Sequence, residues 1–415
     1  MQSLRGFIIA AFASLLLHTA PQQPISSPPA SSIQERLPAP QGTYAIGRQA
    51  FHWVDETRVD PFASSPGRHR ELMAYIWDPA LASQSRPTAE YFPFASRVNH
   101  NASGREAAED IFGQSWSKIV DGSLRSHAVL NARPATERGG FPVVLFTHGS
   151  GASSSSYTAQ IENFVSHGYM VVAIDHPNLA GLVLFPDGRI RLSHEEASSS
   201  PSQDRLQAMI QSAQRGTETS AEDLAFVLQK LSQAQGPVKR AMDLDRVAAV
   251  GHSAGGTVSA RACQLSSRIK ACVSEDGEVN PVGAFFDYPD HSRFTQPFLL
   301  IQIAEQHTDE ELKRMGGSRA GWDRYLAHER EQLSNCAPGS YLVTISRPGL
   351  GHAAFSDGPS LNAANGSAEA TRTQSNLRLT EDLELAFLDH VFKIGAERPL
   401  TSLSAPDVKV ERMGQ

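Results

Sequence analysis

The stretch Gly251-His252-Ser253-Ala254-Gly255 decides how this chain is read, because of what flanks it. Asp245-Arg-Val-Ala-Ala-Val250 reads as a buried strand, and the residues from Ala254 through Ala262 are small and helix-compatible. Strand, G-x-S-x-G and helix in that order predict a nucleophile elbow. Such a turn is so sharp that only small residues fit two positions either side of the serine, a demand that Gly251 and Gly255 meet. It would lift the Ser253 hydroxyl off the carboxyl end of a sheet, at a helix N-terminus whose dipole favours developing negative charge. The bare pattern is close to chance in a chain this rich in glycine and serine, so its weight comes from the flanking elements and from partners elsewhere.

At 415 residues the chain has the length that α/β folds often use as one domain with insertions. A formal charge of −7, with no block of lysine or arginine, argues against nucleic acid as a partner. It also supplies no attraction to anionic membranes. Arg5 followed by the apolar run Gly6 to Leu17 reads as a signal peptide over residues 1–20, short for a membrane span, with a retained anchor as the alternative. The cleavage context His18-Thr-Ala20 is imperfect, with Pro21 directly behind it. The expectation is an exported protein, secreted or periplasmic. Residues 21–41, rich in Pro, Ser and Gln, read as a solvated linker. The cysteines are Cys263, Cys272 and Cys336, an odd count that leaves at least one free thiol. Three buried thiols are expected, one disulfide being the alternative, and the spacing suggests no metal site.

The fold is expected from Thr43, with strands at Tyr44 to Val54 and Arg70 to Trp77, the latter stopping at Asp78-Pro79. Residues 80–140 read as an irregular insertion with one helix near 104–120, where Ile111, Phe112, Trp116, Ile119 and Val120 share a face. Such a helix either faces substrate or packs on the body of the domain. A βα alternation follows: strand Phe141–Thr147, a helix near 156–167, and strand Tyr169–Ile174. Residues 179–216 read as a second insertion with a hairpin around Pro186-Asp-Gly188, and Ser220 as the cap of a helix running to Leu231. Strands at 247–250, 271–274, 297–303 and, as the last, 341–345 lead to a helix over 380–393 and a tail over 397–415. This alternation predicts one α/β catalytic domain over 42–396, a mainly parallel doubly wound sheet with helices on both faces and two insertions.

A serine hydroxyl needs a base to take its proton. In this fold class the histidine follows the last strand, in the order Ser, acid, His, and His352 in Pro348-Gly-Leu-Gly-His-Ala-Ala-Phe355 stands there. The acid is less determined. Asp276, just past the strand after the elbow helix, competes with Glu305 and Asp309 after the next strand, and spacing does not decide between them. Two backbone N–H donors must face an oxyanion: that of Ala254, and that of Ser150 in Thr147-His-Gly-Ser-Gly151. No metal or dinucleotide motif occurs in a suitable place, and the chemistry calls for no cofactor.

Phe146-Thr-His-Gly-Ser-Gly-Ala152, Ser166-His-Gly-Tyr-Met-Val-Val-Ala-Ile-Asp-His176, Gly251-His-Ser-Ala-Gly-Gly256, Asp276-Gly277 and His352 with Phe355 resemble the secreted platelet-activating factor acetylhydrolases and their microbial homologues. The resemblance runs from about Gly42 to the C-terminal helix, weakest in the insertions. It implies an α/β-hydrolase fold, Asp276 as the acid and Ser150 as an oxyanion donor. The expected function is a serine esterase cleaving short-acyl carboxylic esters through an acyl-enzyme, with the sn-2 acetyl ester of such phospholipids as the implied substrate. The alternatives are a general carboxylesterase or dienelactone-hydrolase-like enzyme on soluble esters, and a non-catalytic binding protein. The partner is a small-molecule or lipid ester, with room for transient contact with a lipid surface.

Overall fold

The structure, a computed structural model, describes residues 37–81, 87–193, 202–279, 294–304, 308–314, 318–395 and 398–414, with backbone alone at 202–210 and 314. The signal peptide read over 1–20 and most of the 21–41 linker lie outside them. The strands are β1 (Ala45–Val59), β2 (His69–Ala80), β3 (Thr88–Glu90), β4 (Arg125–Leu130), β5 (Phe141–Thr147), β6 (Met170–Asp175), β7 (Leu182–Leu184), β8 (Ile190–Leu192), β9 (Met242–His252), β10 (Ala271–Glu275), β11 (Phe298–Ile303), β12 (Ser340–Ile345) and β13 (Val408–Met413). The helices are α1 (Ala95–Asn99), α2 (Ala102–Phe112), α3 (Ser115–Val120), α4 (Thr158–Ser166), α5 (Ser202–Gln233), α6 (Pro237–Ala241), α7 (Ala254–Leu265), α8 (Asp309–Arg314), α9 (Arg319–Ser334), α10 (Gly358–Asn362) and α11 (Ala368–Phe392).

Among the described residues one sheet of eleven strands runs β13-β12-β11-β10-β9-β5-β6-β2-β1-β4-β3, and β7-β8 form a separate hairpin. From β12 to β6 neighbouring strands are parallel, while β2 and β13 join this block antiparallel. A parallel strand covered on both faces must be apolar throughout, and every residue of β5 is buried. Its side chains alternate between two cores. Val144 and Phe146 meet Ile161 and Phe164 of α4 and Phe387 of α11, whereas Val143 and Leu145 meet Leu224 of α5 and Val258 of α7. From β5 the chain passes through α4 to β6, then returns to β9 on the other side of β5. That reversal opens a crevice at the carboxyl ends of β5 and β9, where α/β sheets receive ligands.

Several elements depart from the sequence reading. The insertion over 80–140 is not irregular: β3 and β4 extend the sheet beyond β1. Its expected single helix breaks at Gly113 into α2 and α3. Phe112, Trp116 and Ile119 bury themselves with Tyr91, Phe92, Leu182 and Leu184 in a third, separate core. The helix expected from Ser220 already runs from Ser202, so Ser220 is not a cap. Its hydroxyl instead accepts from Asn178 Nδ2 at 3.2 Å, a partner 42 positions away that no local pattern reveals. The stretch read as a tail supplies β13, and Leu37, inside the supposed linker, is buried.

The three expected thiols are corrected as well. Cys263 of α7 and Cys272 of β10 form a disulfide, and Cys336 alone is free, and buried. Their Cα atoms lie 6.4 Å apart because α7 doubles straight back into β10, a geometry that a separation of 9 residues does not announce. Beneath the same region Gln160 Nε2 of α4 donates to Glu275 Oε1 at 2.6 Å and to Glu384 Oε2 of α11 at 2.8 Å. The remaining oxygens, Glu275 Oε2 and Glu384 Oε1, are buried with no donor. One proton shared between the carboxyls satisfies both. Burial, then the charge of Glu275, accordingly raises the pKa of Glu384 well above the ordinary value, and burial raises that of Glu275 as well.

Two outcomes follow. Thiol titration in denaturant without reductant should find one reactive cysteine per chain, not three. The Cys263→Ser/Cys272→Ser variant should lose about 2–3 kcal/mol by chain-entropy reasoning and melt a few degrees lower. The second concerns pH. A carboxyl held protonated in the folded state binds more protons there than when unfolded, so stability falls as pH rises above the ordinary glutamate value of 4.5. Glu384→Gln, neutral at every pH and able to donate to Glu275, should match the parent's melting temperature at pH 4.5 and exceed it by several degrees at pH 8.

Candidate active site

Ser253 sits between β9 and α7 with φ 55° and ψ −124°, a backbone region that costs on the order of 1–3 kcal/mol for a residue with a side chain. The surroundings over-determine it. Its N–H donates to the Glu275 carbonyl at 2.8 Å. A Cβ on Gly251 would lie 2.3 Å from Thr147 Oγ1, and one on Gly255 would lie 2.3 Å from the Thr147 carbonyl oxygen. Only glycine permits that approach of β5, β9 and α7. Thr147 Oγ1 closes the joint by donating to the Gly255 carbonyl at 2.7 Å.

His352 opens a 3-10 turn, His352–Phe355, on the loop after β12. Fully buried Phe355 anchors that turn against the ring of His252, with centroids 5.3 Å apart. Asp357 anchors it further: its carboxylate accepts from the N–H groups of Thr158 and Ala159 at the start of α4 and from the Tyr91 hydroxyl. The loop is thereby tied to both α4 and the first insertion, and burial pushes the Asp357 carboxyl up to about 7. So placed, His352 Nε2 lies 2.8 Å from Ser253 Oγ, and its Nδ1 lies 2.6 Å from Asp276 Oδ2.

Asp276 follows β10 with φ 50°. Its N–H donates to the Ile301 carbonyl at 2.7 Å, and its Oδ1 accepts from the Ile303 N–H at 3.1 Å, so β11 orients the carboxylate. Of the competing acids, Glu305 lies outside the described residues. Asp309 is exposed and pairs with Arg319 at 3.0 Å. The structure therefore brings Ser253, His352 and Asp276 into one line, in which an imidazole held by a carboxylate can take a hydroxyl proton.

The turn after β5 lies beside the elbow. Gly149 N–H donates to Tyr157 Oη at 3.0 Å and Gly151 N–H to the Leu179 carbonyl at 2.8 Å. Between them Ser150 N–H has no acceptor among the described residues, and neither has Ala254 N–H, the first of α7. These two donors remain for an oxyanion. The turn is braced from below by His148, whose Nε2 accepts from the His176 N–H at 3.3 Å. Burial, then the neighbouring His176, pulls the His148 pKa down to about 3, leaving the ring a neutral acceptor. His176 in turn rests on Asp223 at 2.9 Å, and Asp223 on Arg70 at 2.6 Å, all three fully buried. The sequence reading gave none of these residues this role: Asp223 was read with Ser220 as a capping signal, and the bonds act across 28 residues or more.

The hydroxyl faces a cavity of about 210 Å³. Tyr91, Ile111 and Phe112 of the first insertion form one wall, Ala353, Leu361 and Asn362 another, and Ser150 and Tyr157 the floor near Ser253. Of the stretch near 104–120, Ile111 and Phe112 line the cavity, and Phe112 packs into the third core instead of the two that flank the sheet. Among the described residues no group of His, Cys, Asp or Glu is placed to hold a metal ion, and no helix is long and apolar enough to cross a membrane.

Comparison with known proteins places this geometry. A model of the platelet-activating factor acetylhydrolase isoform II family matches residues 31–184. The chain is 23% identical over 313 residues to a platelet-activating factor acetylhydrolase of Canis lupus familiaris, covering 69% of this chain and 64% of that protein. It is 26% identical over 266 residues to a probable 1-alkyl-2-acetylglycerophosphocholine esterase of Arthroderma benhamiae, covering 61% and 60%. The chain thus spans somewhat less than two thirds of the length of these relatives. A ferulic acid esterase from Streptomyces cinnamoneus superposes with a TM-score of 0.67 at 26% identity, over 92% of this chain and all of that one. The alpha/beta hydrolase family model matches residues 144–364, just over half of the sequence and the span that holds the elbow, Asp276 and His352. The chain therefore belongs to the alpha/beta hydrolase family and is similar to its platelet-activating factor acetylhydrolases.

Proposed function

We propose that the chain is a serine hydrolase of carboxylic esters that works through an acyl-enzyme. The observation that carries this reading is the unbroken line from Ser253 Oγ through His352 to Asp276, at 2.8 and 2.6 Å. Ser253 attacks the ester carbonyl as His352 Nε2 takes its proton. Asp276 keeps the other ring proton on Nδ1 and stabilises the imidazolium. The N–H groups of Ser150 and Ala254 receive the negative charge of the tetrahedral intermediate, the latter with the dipole of α7 behind it. His352 then protonates the leaving alcohol, and a water activated by the same ring releases the acid.

The substrate we assign is an ester with a short acyl group, the acetyl at sn-2 of a platelet-activating-factor-like phospholipid. The names borne by the relatives support this, as does a cavity smaller than the roughly 300–1,000 Å³ of drug-sized sites. A second reading, a general carboxylesterase on soluble esters, draws support from the ferulic acid esterase superposed over its whole length. Export to an oxidising compartment is supported by the apolar N-terminal run and by the Cys263–Cys272 disulfide.

Ser253→Ala should abolish fluorophosphonate labelling and lower kcat roughly 10⁴-fold or more, whereas Asp276→Asn should lower kcat about 10²–10⁴-fold with the label retained at a slower rate. Labelling that persists in Ser253→Ala would overturn the assignment. Para-nitrophenyl esters of increasing acyl length, assayed beside a short-chain 2-acetyl phospholipid, separate the two substrates. A sharp fall beyond short acyl chains with preference for the phospholipid supports the first, and indifference to the headgroup supports the second.

A further inference from the structure

We propose that Tyr157 is a positioning residue whose single hydroxyl ties the oxyanion turn to the nucleophile elbow and sets the tautomer of His252. The proposal rests on the ester-hydrolase reading for its kinetic consequence, though not for the tautomer.

Tyr157 ends the 3-10 turn Ser154–Tyr157 that leads into α4, and its ring is 1% exposed. Its Oη stands between two groups from different strands: Gly149 N at 3.0 Å, in the turn after β5, and His252 Nδ1 at 2.8 Å, the last residue of β9. A backbone N–H can only donate, so the hydroxyl accepts from Gly149. Its own proton has no other acceptor among the described residues than His252 Nδ1, since an Nδ1–H donating to the same oxygen would leave the hydroxyl proton unpaired in a buried site, and this assigns Nδ1 as the acceptor. His252 is then protonated on Nε2, an atom buried with no hydrogen-bond partner among the described residues.

This arrangement bears on the reaction in two ways. Gly149 and Gly151 are the residues on either side of Ser150; their N–H groups are held by Tyr157 and Leu179, and the Gly149 carbonyl, in the peptide that carries the Ser150 N–H, accepts from Ala152 N–H at 3.2 Å. Loss of the Tyr157 hydroxyl frees one of these three restraints and loosens the turn. The other consequence concerns charge. The His252 ring lies with its centroid 4.6 Å from that of His352, between the catalytic base and Tyr157. When His352 becomes an imidazolium, a charged neighbour at that range would oppose proton transfer. An Nδ1 engaged as an acceptor keeps His252 neutral, in the direction that burial already favours.

Tyr157→Phe keeps the aromatic volume and removes only the oxygen. It should lower kcat about 10- to 100-fold, less than deletion of an oxyanion donor outright, with KM within about threefold and the melting temperature nearly unchanged. His252→Phe removes one of the two bonds and should cost less than Tyr157→Phe. The double variant should be no slower than Tyr157→Phe, because the second change deletes a bond already gone. Nitrogen-15 NMR of the imidazoles should find wild-type His252 protonated on Nε2, and this readout needs neither activity nor a foldable variant. A Tyr157→Phe enzyme within twofold of the parent kcat would overturn the proposal. So would losses that multiply in the double variant, or a wild-type His252 proton on Nδ1. If wild type and Ser253→Ala hydrolyse esters equally, the ester-hydrolase reading fails on its own, while the NMR result still decides what the hydroxyl does.

Discussion

Two backbones touch where β5 and β9 end, and the site depends on that contact. The Thr147 carbonyl sits where a Cβ on Gly255 would stand, and the Thr147 hydroxyl where one on Gly251 would. This approach fixes the left-handed turn at Ser253 and puts the turn that carries Ser150 alongside the serine. The register of parallel neighbours carries the arrangement outward: Gly251 faces Ser274 across the β9–β10 ladder, which delivers Asp276 two residues further on. β11 then grips Asp276 from the next position in the sheet. Ser253, Asp276 and the N–H groups of Ser150 and Ala254 thus emerge from one sheet edge because four strands agree on where they stop.

Beneath that edge the structure tolerates an unusual amount of buried polarity. Arg70, Asp223 and His176 are fully buried, and the Arg70 and Arg58 guanidiniums with His176 hold the Asp223 carboxyl well below the usual range against the opposing effect of burial. Such groups add little net stability relative to apolar replacements, but removing one partner strands the others at a cost of about 3–5 kcal/mol. Their value here is geometric, since His176 holds His148 and His148 begins the turn that carries Ser150. On the opposite face the Gln160, Glu275 and Glu384 cluster ties α4 and α11 to the end of β10.

The sequence disclosed the parts of this design that are written locally. Apolar runs marked β5, β6 and β9 to β12 because strands covered on both faces allow nothing else, and G-x-S-x-G marked the elbow because its turn is sterically exclusive. Ser253 and His352 could be nominated from order along the chain, whereas spacing left the acid divided and the family resemblance implied Asp276, which the structure sets between β11 and His352. What stayed hidden depends on distant partners. Ser220 resembled a helix cap because its partner Asn178 is invisible from its neighbours. β3, β4 and β13 are short and mix charged with apolar residues, so their pairing depends on a sheet already formed. Tyr157 and Asp357 carry no signal at all except through the fold.

The cluster built by Phe92, Phe112 and Trp116 with Leu182 and Leu184 is separate from the two cores that flank the sheet. Tyr91 and Phe112 of this cluster line the cavity, whereas Ser253 and Asp276 hang from the sheet, and the loop of His352 is tied to both through the bond of Tyr91 to Asp357 at 2.8 Å. Repacking the outlying cluster around an unchanged Tyr91 alters the shape offered to an incoming molecule while keeping that bond. Natural variation can therefore rework what the protein admits while leaving its chemistry intact, and a breeder of new selectivities would begin with those aromatic side chains.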